Sequence, residues 1–137
     1  MTGIFPEKDW LDGFAAYLNS SEKYGRIAHK WEGDLVFEIL SDNVLTDGVN
    51  IYLDLWHGKC REAMILDSSE PLEAAFVLSA PYSNFVRVLK GDLDPMQAML
   101  TRKLVVKGNL GYMMRNVPTV LEFVRSAQAV TEKVIGD

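Results

Sequence analysis

Apolar residues first recur at helical spacing. Trp10, Phe14, Tyr17 and Leu18 fall on one face behind Pro6, Glu7 and Asp9, a good helix opening because proline suits a first turn and acids the positive end of the dipole. Asn19-Ser20-Ser21-Glu22 breaks this helix and caps a second one, which carries Tyr24, Ile27, Ala28 and Trp31 and ends at Gly33. The period then changes to two. Leu35, Phe37 and Ile39 share one face of a strand, opposite Val36, Glu38 and Leu40. After the Asp47-Gly48 turn, Val49, Ile51, Leu53 and Leu55 alternate with Asn50, Tyr52, Asp54 and Trp56. His57-Gly58-Lys59 is a second tight turn, and Cys60 to Leu66 a third strand. A polar loop from Asp67 to Pro71 leads to a fourth strand, Glu73 to Ala80, closed by Pro81.

Tyr82, Phe85, Val86 and Leu89 then form an amphipathic helix that stops at Gly91. Asp94-Pro95 opens a short helix with Met96, Met99 and Leu100, and Lys103 to Lys107 is a fifth strand alternating basic and apolar residues. Beyond Gly108-Asn109, Met113 and Met114 precede a final helix whose stripe is Val117, Val120, Leu121, Val124, Ala127 and Val130, with Phe123 beside it. The order predicts an α+β fold with five strands in a mostly antiparallel sheet, because consecutive strands have short connections. At 137 residues the chain fits a single domain spanning 1–137, long enough to bury a full core.

Charge narrows the function. The net charge of −5 speaks against general nucleic-acid binding. Cys60 is the single cysteine, so neither an intrachain disulfide nor a zinc site built on several thiolates can form. No apolar run approaches the ~18 residues of a membrane span and no signal peptide opens the chain, which predicts a cytoplasmic protein. Catalytic groups are sparse. Cys60 lies three residues from His57, a conceivable thiol–imidazole pair, but no third orienting group accompanies it. No cofactor or metal is expected. Asp54, Glu62 and Glu38 mark the wetter sheet face, while Trp56, Tyr52 and Val36 could serve there as a homodimer or partner surface unless the N-terminal helices cover them.

The most telling stretch runs from Leu89 to Leu110. Gly91-x-Leu93-Asp94-Pro95, Ala98 and the later Lys103-Leu104-Val105-Val106-Lys107-Gly108-Asn109 resemble the sterol carrier protein type 2 family, and the order of elements is similar along nearly the whole chain. Two features depart from that pattern. The family often has a phenylalanine and then a glycine just before the strand lysine, where this chain reads Met99-Leu100-Thr101-Arg102. The final Val134-Ile135-Gly136-Asp137 is not the family's common peroxisomal ending, which fits a free-standing microbial-type member.

The resemblance implies a five-stranded sheet covered by helices on one side, with an apolar tunnel between sheet and helices that accepts fatty acids, acyl thioesters or sterols without chemistry of its own. Methionine's flexible side chain suits such a wall. The expected lining is Phe76, Leu78, Phe85, Leu89, Met99, Leu104, Val106, Met113, Met114, Val117 and Leu121. Lys90, Arg87, Arg102, Lys103 and Lys107 could attract a carboxylate, a phosphate or an acidic membrane headgroup, or simply be solvated.

Overall fold

The computed structural model describes residues 3–137. Its elements are β1 (Gly3–Phe5), α1 (Lys8–Ser20), α2 (Glu22–Ile27), β2 (Leu35–Leu40), β3 (Val49–Trp56), β4 (Lys59–Leu66), β5 (Phe76–Pro81), α3 (Tyr82–Leu89), α4 (Pro95–Leu100), β6 (Val105–Lys107), α5 (Leu110–Arg115), α6 (Val117–Val130) and β7 (Thr131–Val134). The fold is α+β, with a five-stranded sheet in the order β4-β3-β2-β5-β6. Every neighbouring pair is antiparallel except β2 and β5.

That parallel pair is pinned by Asp34, just before β2. Its carboxylate accepts from the Ala75 backbone N–H at 2.7 Å and from the Tyr52 hydroxyl at 2.8 Å, and its carbonyl accepts from Phe76 N–H. The returning chain is thereby aligned beside β2. Register then places Leu35 between Leu53 and Phe76, and Phe37 between Ile51 and Leu78, so one apolar face runs across the sheet. The N-terminal helices pack on this face: Trp10, Phe14, Tyr24 and Trp31 are all buried there. The opposite face keeps Glu38, Asp54 and Glu62, with Trp56 partly exposed beneath the Arg61 guanidinium. Val36 is nonetheless fully buried, and its register neighbours on that face are Tyr52 and Val77.

Several expectations shift. The first helix begins at Lys8, so Pro6 precedes it and Glu7 is its N-cap. The second helix ends at Ile27; residues 28–30 form a turn, and Trp31 follows it. The fourth strand is shorter than Glu73 to Ala80, and the fifth begins at Val105, not Lys103. Residues 110–115 are a helix of their own. A second, two-stranded sheet joins β1 to β7 in parallel.

Helix ends follow local chemistry. Pro81, the N-cap of α3, has no side-chain acceptor, and Asp42 from the β2–β3 loop takes the Ser83 N–H instead, at 2.9 Å. Hydrogen bonds from the backbone of Leu45, Val44 and Ser83 hold the Asp42 carboxyl below its ordinary range. At the other end of α3, Gly91 N–H donates to Val88 and Asp92 N–H to Arg87, a closure that needs the left-handed backbone Gly91 supplies.

Candidate functional site

An apolar cavity of about 90 Å³ lies between the sheet's inner face and the helices. Leu35 and Phe37 of β2, Leu55 of β3 and Leu78 of β5 form its floor. Phe5 and Trp10 close one side, Tyr24 and Trp31 another. From the second half of the chain come Phe85, Val88 and Leu89 of α3, Pro95 and Met99 of α4, then Leu104, Met113 of α5, and Thr119, Val120, Phe123, Val124 and Ala127 of α6. Phe37, half-buried, lies 5.7 Å from the ring centroid of Phe85 and 6.0 Å from that of Phe123.

Among the described residues no charged side chain lines this space. Its few polar side chains are largely committed elsewhere. Trp10 Nε1 donates to Thr131 Oγ1, Trp31 Nε1 to the Gly33 carbonyl, and Thr119 Oγ1 to the Ile27 carbonyl. Burial pushes the Tyr24 hydroxyl's pKa well above its ordinary value, so it stays neutral. Such a site can hold hydrocarbon, and it offers no ion to a charged headgroup. The volume is below the roughly 300–1,000 Å³ of a drug-sized pocket, so a ligand of that size needs the cavity to widen.

Of the residues expected from the sequence to form the wall, Leu78, Phe85, Leu89, Met99, Leu104 and Met113 line the cavity. The other five lie off it. Phe76 is buried against Trp31 and Tyr112. Val106 sits opposite Leu78 in the ladder and packs, half-buried, against the core. Met114 is half-buried on the turn next to Met113. Val117 and Leu121 are half-buried on an edge of α6, because that helix presents Thr119, Val120, Phe123, Val124 and Ala127 inward. Phe123 is therefore the middle of the stripe and not its flank. The lining residues from the first half of the chain were missed. The signal for Leu35, Phe37 and Leu55 was their period-two alternation, which needed only the register to Leu78 to assign the face.

The Cys60–His57 pair is not brought into contact. His57 Nε2 meets Glu32 at 2.6 Å on the surface, while Cys60 is buried with its thiol donating to the Glu62 carbonyl. Burial pushes the thiol up to about 11, away from the thiolate needed for nucleophilic attack. The groove beside Trp56 has its three carboxylates occupied, Asp54 by Arg61, Asp34 by Tyr52 and Glu32 by His57. Among the described residues no group of three His, Cys, Asp or Glu side chains could hold a metal ion, and no helix is long and apolar enough to cross a membrane.

This geometry agrees with comparisons to known proteins. The chain is 33% identical to a crystallographically determined sterol carrier protein 2, with a TM-score of 0.80 over 89% of this chain and 95% of that one. A conserved hypothetical protein of Thermus thermophilus is 31% identical, with a TM-score of 0.83 over 96% and 93% of the two chains. The sterol carrier protein 2 of Aedes aegypti, solved with palmitate, shares the fold at 20% identity and a TM-score of 0.53, covering 85% and 91%. No curated protein matches the chain. With residues 14–120 also matching the profile of the SCP-2 sterol transfer family, the chain belongs to that family.

Proposed function

We propose that this chain is a non-catalytic carrier that binds one elongated apolar ligand, an acyl chain or a sterol-like molecule, in an expanded form of the cavity, acting as a single domain in the cytoplasm. The observation carrying this reading is a wall drawn from nearly every element and free of charged side chains. Each methylene transferred from water contributes about 0.8 kcal/mol, so a long chain gains on the order of 10 kcal/mol before ordering costs. Affinity then needs no ionic anchor, and discrimination by chain length is weak. A carboxylate, where the ligand has one, stays at the rim. The palmitate held by the Aedes aegypti protein of the same fold is a ligand of this kind.

The test is displacement of a fluorescent fatty acid from the purified protein. Wild type should bind at micromolar or tighter concentration. Val120→Trp, which places an indole in the cavity, should weaken binding at least about tenfold, by analogy with overpacking of a filled core. Val117→Trp, on the outer edge of the same helix, should bind as wild type does. Absence of displacement by any acyl chain or sterol would sink the proposal.

A further inference from the structure

The sign of the surface charge reverses along the chain. Residues 87–115 carry six basic and two acidic side chains, net +4, against −9 for the remainder of a chain whose total is −5. All six basic residues are exposed. Among the described residues Lys90 is paired, to Asp137, whereas Arg87, Arg102, Lys103, Lys107 and Arg115 make no ion pair. Of the two acids, Asp94 is engaged in capping α4 through Gln97 N–H, and Asp92 is the one exposed counter-charge left.

Apolar exposure peaks in the same place. Leu100, at the end of α4, is 60% exposed, more than any other large hydrophobic residue of the described chain. Hydrogen bonds gather the neighbouring groups: Asn84 of α3 donates to the Lys103 carbonyl, Leu93 N–H to the Arg87 carbonyl, and Leu104 N–H to the Ala98 carbonyl. Leu100, Arg87, Arg102 and Lys103 thus belong to one neighbourhood around α4. The other side of that short helix faces inward, where Pro95 and Met99 line the cavity.

We propose that α4 and the turn after it form a docking surface for bilayers containing anionic lipid, with Arg87, Arg102 and Lys103 meeting phosphate groups and Leu100 entering the acyl boundary. Basic side chains near an anionic surface are attracted through several ångströms of solvent, and an exposed leucine gains only where it can leave water. A chain that is acidic elsewhere is repelled by the same surface, so the charge reversal also orients it, setting the wall that carries Met99 toward the membrane. This assignment rests on the apolar-ligand reading for its purpose, and its test is independent of it.

The test is flotation of the full chain with vesicles of phosphatidylcholine, alone or mixed with phosphatidylglycerol. Wild type should partition onto the mixed vesicles and lose most of that binding in high salt. Arg87→Glu/Lys103→Glu should lower partitioning about tenfold or more, since each basic residue contributes about fivefold. It leaves the strained Arg102 position untouched. Leu100→Ser should lower it about fivefold. Lys30→Glu/Lys59→Glu makes the same change in net charge at the opposite end of the sheet and should partition as wild type does. Displacement of a fluorescent fatty acid in vesicle-free buffer should be unchanged in all three variants. Equal partitioning of wild type onto both vesicle types would overturn the proposal, as would an equal loss in the control pair. Insensitivity to Leu100→Ser would overturn it too, leaving a purely electrostatic surface for a nucleic acid or an acidic protein. Failure of wild type to displace the probe while vesicle binding follows this pattern would sink the carrier reading and leave the docking surface standing.

Discussion

Arg102 follows α4 with φ at +60°, in the left-handed region that favours glycine. Its N–H closes the helix end on the Met99 carbonyl, and Leu104 N–H reaches back to Ala98, so the backbone there is held by the turn and not by the side chain. This is the position, just before the strand lysine, where the family often has glycine. The motif was legible, and the missing glycine was legible, but the sequence could not show that the fold still demands the glycine conformation. A Cβ in this region costs about 1–2 kcal/mol. Glycine's greater freedom in the unfolded chain takes back about 0.5–1 kcal/mol. Arg102→Gly should therefore stabilise by roughly 0.5–1 kcal/mol, a rise in melting temperature of about 2–4 °C. Arg102→Ala keeps the Cβ and should show no such gain. Thermal unfolding of the three proteins checks this, and an equal gain from alanine would place the effect in the arginine side chain.

Between elements, the buried apolar face of α1 is joined to the sheet edge by one hydrogen-bonding side chain. Asn19, the penultimate residue of that helix, accepts from Cys60 N–H at 2.8 Å and donates to the Cys60 carbonyl at 2.9 Å, satisfying both backbone groups on the open edge of β4. Asn19→Ala leaves both without that partner and should cost about 1–3 kcal/mol by urea unfolding, against near zero for Ser20→Ala next to it. In the sequence Asn19 read only as a helix breaker, since a contact spanning 41 residues leaves no local trace. The same limit explains the other misses at this scale. β1 and β7 have three and four residues, too few to display a period, and exist through pairing with each other. Met113 and Met114 are neighbours on one helical turn, so choosing which points inward required the orientation of α5. The α6 stripe was found but rotated by about one position, because Val117 and Leu121 are as apolar as the residues that actually face the sheet.

Across the molecule, the sheet was the legible layer and the helical cover was not. Alternation gives each strand two faces and hydrogen-bonded register then fixes all of them together, whereas a helix can roll while keeping its period. That asymmetry bears on how a cavity of about 90 Å³ admits an acyl chain. The floor is a continuous ladder through β3, β2 and β5, and parting it would break backbone hydrogen bonds along both partners. The cover is held by side-chain packing, and α4 is short and bracketed by left-handed residues at Gly91 and Arg102. Expansion should therefore come from α4 and α6 moving off the floor, with Met99, Val120 and Val124 yielding most readily. Loading with palmitate should change amide exchange in α4 and α6 while β2, β3 and β5 stay as protected as in the unloaded protein. It should also raise the melting temperature with ligand concentration, by an amount equivalent to about 2.7 kcal/mol at one hundred times Kd. Exchange changes as large in β2 and β5 as in the helices would mean that the ligand opens the sheet, and the floor-and-cover account would fail.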